Sequence, residues 1–175
     1  MKKIKTYGVM ISFILSIILH FIYNIMPNTF ISIIAPVNES IWEHMKLIVS
    51  SSLIFSVIEY IIYKTNNIPF NNFSLSYSIS TLLGVIIYLF IYIPLNDILG
   101  HKIYIAIILL FLIFILIQII SYYIMNKKKI KYSLILSILL IVITYFIFYY
   151  LTYYPPKINL FYDYLNKQYG IRKFS

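Results

Sequence analysis

The chain has no cysteine. Disulfides and thiolate metal ligands are thereby excluded, and any bound metal must draw its donors from His, Asp or Glu. Charge is scarce too: Asp, Glu, Lys and Arg make up 11% of the 175 residues, whereas 62% are hydrophobic. A soluble domain of this size needs more charge than that to cover its surface. In lipid an apolar exterior carries no penalty, and the composition points there. Glycine is rare, with four residues and no Gly-rich phosphate loop among them. The net charge is +9, but the lysines sit in short clusters beside apolar runs. That is the pattern of topology-setting charge, not of nucleic-acid binding. The length suggests one membrane domain over residues 1–175.

What is present is a set of long apolar runs. Five of them, residues 7–26, 41–63, 73–93, 103–125 and 132–154, reach the ~20 residues that a bilayer crossing takes. The expected fold is all-α: a polytopic integral membrane helical bundle embedded in the lipid bilayer. Met1-Lys2-Lys3-Ile4-Lys5 before the first run resembles a signal peptide. The run is too long for such a leader, and no small-x-small cleavage site follows Met26, so it reads as a retained span. The links 64–72, 94–102 and 126–131 are short and carry Asn, Pro, Gly or Lys. Residues 28–38 are apolar for a loop and read as interfacial or re-entrant. Pro155-Pro156 stops the last helix, and a polar, aromatic tail follows over 155–175.

The positive-inside rule sets a direction. Lys2, Lys3, Lys5, Lys64, Lys127, Lys128, Lys129 and Lys131 fall on one side, which becomes cytoplasmic. Lys46, Lys102 and the basic tail residues, Arg172 and Lys173 among them, fall on the other. The N-terminus is then inside and, after an odd number of spans, the C-terminus outside. This topology gathers His20, His44, His101, Glu39, Glu43, Asp97 and Asp163 at the outer face. Glu59 alone of the five carboxylates lies near the inner end of the second span.

Polar stripes run along the first two spans. Ser12, Ser16, His20 and Asn24 recur at steps of four, and Ser40, His44, Ser51, Ser52 and Glu59 share one sector of the next helix. The serines fit helix–helix contact. A histidine or glutamate in hydrocarbon needs a partner.

The segment Asn38-Glu39-Ser40-Ile41-Trp42-Glu43-His44-Met45-Lys46 is the densest in chemistry. Ser40-x-x-Glu43 has the form of a capping box. Trp42 suits an interfacial aromatic belt, and Lys46 can snorkel outward. His44 is left over. Together with His101, Asp97 or His20 it would supply N and O ligands for a divalent metal such as zinc, with Glu39 or Glu43 as base. Ser40-x-x-x-His44 is similar to a step in some intramembrane zinc hydrolases, but their paired late-helix histidine motif is missing here. His-Glu-x-x-His is absent as well. The tail, with Asp163 in it, reads as an aromatic interfacial cap, or else as a lid over the cluster.

The run from Ala35 to Leu47, with its Pro-Val-Asn-Glu-Ser-x-Trp-Glu-His core, resembles the hallmark of a family of small bacterial integral membrane proteins. They occur largely in low-GC Gram-positive organisms and are catalogued as a domain of unknown function. Pro155-Pro156, Leu160-Phe161, Asp163 and Tyr169-Gly170-Ile171 are similar to that family's ending. The resemblance implies a polytopic helical protein of the bacterial cell membrane and brings no catalytic residue with it. The leading expectation is an integral membrane protein whose polar outer cluster is structural or binds a partner. The alternatives are a metal-dependent hydrolase of a lipid or lipid-linked substrate, and a small transporter using Glu59.

Overall fold

The structure is a computed structural model that describes residues 1–100 and 102–171. His101, Arg172 and Lys173 lie outside the described residues. Helices α1 (Lys2–Ile25), α3 (Ile41–Thr65), α4 (Phe73–Leu99), α5 (Ile103–Met125) and α6 (Ser133–Tyr153) are each long and apolar enough to cross a membrane. A short α2 (Thr29–Ile34) joins α1 to α3, and the tail forms a 3-10 turn (Asn159–Phe161) and a hairpin of β1 (Tyr162–Asp163) and β2 (Gln168–Tyr169). The chain is an all-α helical bundle.

Helix α3 is the centre: it touches α1, α4, α5, α6 and the 3-10 turn. Met45, Ile48 and Val49 pack with Tyr88 and Tyr92 of α4, Phe114 and Ile117 of α5, and Phe148 of α6. Small residues permit close approach. A Cβ on Gly8 of α1 would fall 2.4 Å from the Phe55 ring of α3, so only glycine fits there. Helix α6 is the outermost. It buries Ser137, Thr144, Phe148 and Thr152 along one stripe and exposes Ile135, Leu139, Val142 and Phe146, a face suited to lipid. Hydroxyl pairs bridge helices, as the serine stripes suggest: Ser78 to Ser137 at 2.7 Å and Ser50 to Tyr145 at 3.0 Å.

One segment differs from the expected spans. Helix α4 runs through Pro94 to Leu99 instead of ending at 93. A proline removes its own N–H from the ladder and crowds the carbonyl four residues back, which membrane helices tolerate, and the helix resumes beyond it. The turn comes at Gly100, where φ is +70°. Residues 28–38 contain α2, capped by Asn28, whose Oδ1 accepts from the Ile31 N–H at 3.0 Å. Ile31, Ala35 and Val37 bury against Tyr23 of α1.

At the lysine-rich end α1 and α3 are joined by a buried charge pair. Lys5 Nζ donates to Glu59 Oε2 at 2.8 Å and to Ser121 Oγ of α5 at 2.8 Å. Tyr63 and Tyr77 donate their hydroxyls to the two Glu59 oxygens at 2.7 and 2.6 Å. Glu59 is wholly buried, so removing its cation should be severe. Lys5→Met is expected to lower stability by about 3–5 kcal/mol in detergent unfolding titrations. Lys5→Met combined with Glu59→Leu is expected to recover part of that loss. A Lys5→Met protein as stable as the parent would show that the pair does not hold the helices.

Candidate functional site

The site grows from the start of α3. Ser40 is its N-cap, and Ser40 Oγ accepts from the Glu43 N–H at 3.3 Å. The other half of the expected capping box is made differently. Asn38 Oδ1, not Glu43, accepts from the Ser40 N–H, at 2.8 Å. Glu43 turns inward. It accepts from the Val37 N–H at 3.0 Å, from Thr152 of α6 at 2.8 Å and from Lys46 at 2.5 Å. Lys46 Nζ also donates to the Ser32 carbonyl of α2 at 2.6 Å and to Thr152 Oγ1 at 2.7 Å. Lys46 therefore does not snorkel; it is 0% exposed because all three of its donors find acceptors inside. Trp42 is half-buried. Its ring packs on Phe148 and Phe161, with centroids 5.6 and 5.1 Å away, where α6 and the 3-10 turn meet α3.

With Glu43 locked away, three other groups converge. His20 lies near the end of α1, Glu39 just before α3, and His44 in its first turns. His44 Nε2 is 3.4 Å from Glu39 Oε2, and His20 Nε2 is 3.7 Å from Glu39 Oε1. One ligand atom from each of the three residues lies within 4.8 Å of the others. These are the distances of loose ion pairs. A tetrahedral centre with bonds of ~2.1 Å holds its donors ~3.4 Å apart, so the three groups would have to close in to share one ion. His44 Nδ1 lies 2.8 Å from the Ser40 carbonyl oxygen. A carbonyl only accepts, so Nδ1 carries the hydrogen, and in the neutral ring Nε2 keeps the lone pair facing the cluster.

The cluster forms the polar rim of a cavity of about 410 Å³. Below it the walls are Phe13, Ile17 and Phe21 of α1, Leu47 of α3, and Ile107 and Leu110 of α5, with Ser16 one turn beneath His20. Tyr88 and Tyr92 of α4 stack at 5.2 Å and close another side.

The tail covers the cluster. Asp163 Oδ2 accepts from the backbone N–H of Glu39 at 3.2 Å, and its Oδ1 accepts from the N–H groups of Leu165 and Asn166 at 2.9 and 3.0 Å. Asn38 Nδ2 donates to the Gly170 carbonyl at 2.7 Å. Leu165, at the hairpin tip, lines the cavity. The tail is thus fastened to the two residues on which the α3 cap and the cluster depend.

Of the residues singled out in the sequence, His20, Glu39 and His44 come together. Asn38, Ser40 and Asp163 hold their backbone. Asp97 is exposed on the last turn of α4 and is not one of the three. Glu43 is a buried ion-pair partner, and Glu59 sits at the opposite end. On the cavity wall, Ser16 was read as helix–helix contact, and Tyr88 and Tyr92 were not picked out. The row of Ser16 and His20, and the four-residue spacing of the tyrosines, were the available signals.

Asp163→Ala should free the turn and the Glu39 amide together. Hydrogen exchange at Glu39, Leu165 and Asn166 is expected to speed up about tenfold or more, since bonds to a carboxylate are among the stronger ones. Mid-α3 amides are expected to stay protected. Unchanged exchange at all three residues would show that Asp163 does not fasten the tail.

No match to the chain was found among curated proteins or among solved structures. One family does match, over residues 1–171, and it covers every element described above. The chain belongs to DUF6512, a family of unknown function.

Proposed function

We propose that His20, Glu39 and His44 form a divalent metal centre, zinc being the best fit, and that the protein is a membrane hydrolase of a lipid or lipid-linked substrate. The observation that carries this is the convergence of two imidazoles and a carboxylate on the rim of an apolar cavity within the bundle. Three protein ligands with an open position are the usual arrangement of a catalytic zinc, which would supply a water acidic enough to act as nucleophile. Glu39 directs one oxygen at each imidazole. It can bind through one oxygen and take the water proton with the other. Hydrolysis then adds water across an ester or phosphoester bond, and the proton passes to the leaving alcohol.

The cavity suggests the substrate class. Its walls offer hydrocarbon contact below and polar groups at one end, which fits an amphiphile with its cleavable bond at the rim. The orientation in this reading follows the lysines. Lys2, Lys3, Lys64 and the 127–131 cluster face the cytoplasm of a bacterial cell, and the tail and cluster face outward. The leading sequence expectation, a structural or partner-binding cluster, accounts for Ser40 and Asn38 as caps. It gives no role to the meeting of Glu39 with two imidazoles beside an apolar cavity.

The test is metal content of protein purified in detergent without chelators and dialysed against zinc. About one zinc per chain is expected. His20→Ala and His44→Ala are each expected to weaken retention at least about tenfold, and Asp97→Asn is expected to retain it. No zinc in the parent protein, or equal zinc in the two histidine variants, would remove the metal and with it the hydrolase.

A further inference from the structure

The cavity under the cluster is not closed on every side. Leu47 of α3 and Tyr88 and Tyr92 of α4 are buried and form its inner wall. Its other wall is the seam between α1 and α5. Toward the lysine-rich end, Phe13 and Phe111 meet edge-on with centroids 5.4 Å apart and close that seam. Toward the tail end, Ile17 and Phe21 of α1 and Ile103 and Ile107 of α5 all line the cavity, yet they are 47, 53, 62 and 48% exposed. A side chain that lines a cavity and is half exposed stands at its mouth. Leu165 of the hairpin, which also lines the cavity and is exposed, forms the upper lip.

The mouth faces sideways, into the bilayer. Helices α1 and α5 are both long and apolar enough to cross a membrane. At 1.5 Å per residue, Ile17 lies ~12 Å inside the end of α1 and Ile107 ~6 Å inside the start of α5. Both depths fall within a hydrocarbon core of ~30 Å. The four side chains at the mouth carry no polar atom. The mouth thus runs from hydrocarbon up to the level of the cluster, and what surrounds it is lipid.

We propose that this mouth is a lateral entry through which the hydrocarbon chain of a membrane lipid passes between α1 and α5 into the cavity, with the headgroup end left at the cluster beneath Leu165. The inference rests on the hydrolase reading for the place of the headgroup. It narrows the substrate to a lipid that reaches the site from the leaflet on the tail side without leaving the bilayer. A chain that moves from bilayer to cavity exchanges one hydrocarbon surrounding for another, so its entry carries no hydrophobic penalty. A water-soluble ester would instead have to pass the hairpin, which Asp163 fastens to the Glu39 N–H.

Photo-crosslinking of the full chain in vesicles tests this. The vesicles are dioleoyl phosphatidylglycerol with a phosphatidylcholine that carries a diazirine on one acyl chain, and adducts are mapped by mass spectrometry. Adducts are expected at Phe13 and Leu110 on the cavity wall, as well as at Val142 and Phe146 on the lipid face of α6. Ile17→Trp combined with Ile107→Trp fills the mouth. It is expected to lower the Phe13 and Leu110 adducts about fivefold or more, the effect of about 1 kcal/mol of crowding, and to leave those on α6. Ile107→Trp alone is expected to lower them in the same direction and decides the matter if the double variant fails to fold. Val142→Trp, away from the mouth, is expected to change nothing on the cavity wall. The readout needs no metal, so its failure would leave the zinc centre standing, and absence of zinc would leave the lipid route standing. No adducts at Phe13 and Leu110 in the parent, as a second copy seated on the mouth would give, or an equal loss in Val142→Trp, would each overturn the proposal.

Discussion

A charge inside a helical membrane bundle must have its partner inside as well, and α3 meets that demand twice. Glu43 and Glu59 stand sixteen residues apart on it. At 1.5 Å per residue this is ~24 Å, most of a hydrocarbon core of ~30 Å. Each carboxylate holds a lysine and at least one hydroxyl: Lys46 and Thr152 at one end, Lys5, Tyr63 and Tyr77 at the other. The two pairs draw in α2 and α6 at one end and α1, α4 and α5 at the other. Between them they fix the rotation of α3, and with it the direction in which His44 projects. Breaking either pair would leave an uncompensated buried charge, so the arrangement resists small changes.

The cluster at the tail end obeys a different rule. Both lysine pairs close at 2.8 Å or less, yet the Glu39 oxygens stand 3.4 and 3.7 Å from the two imidazoles. The backbone around Glu39 is nevertheless held firmly, by the Asp163 carboxylate on its N–H and by the Asn38–Ser40 cap next to it. A carboxylate and two imidazoles supported on fixed backbone are the arrangement on which the proposed metal centre rests. The seam between α1 and α5 carries an apolar cavity under the cluster and a second cleft, lined by Lys2 and Lys5, at the far end, with Phe13 and Phe111 between them.

Much of this was legible in the chain. The five crossings follow from uninterrupted apolar runs, because hydrocarbon admits little else. The gathering of His20, Glu39 and His44 at one end follows from counting crossings. Which of the polar residues there would meet did not follow. Periodicity places Glu43 and His44 on different sides of α3, but only packing decides that Glu43 faces Thr152 while His44 faces α1. Lys46 looked like an interfacial lysine because its acceptors, the Ser32 carbonyl and Thr152, are fourteen and 106 residues away. The packing of Trp42 was hidden for the same reason: Phe148 and Phe161, on which its ring lies, come from the end of the chain. Pro94 reads as a helix stop in water, whereas a membrane helix continues past it to Gly100.

The most direct measurement is X-ray absorption at the zinc edge of the zinc-loaded protein. The His20–Glu39–His44 centre predicts nitrogen and oxygen donors at ~2.0–2.1 Å, with outer-shell scattering from two imidazole rings. A zinc environment without imidazole scattering would contradict it, and the three side chains would then be a polar contact between α1 and α3 and nothing more.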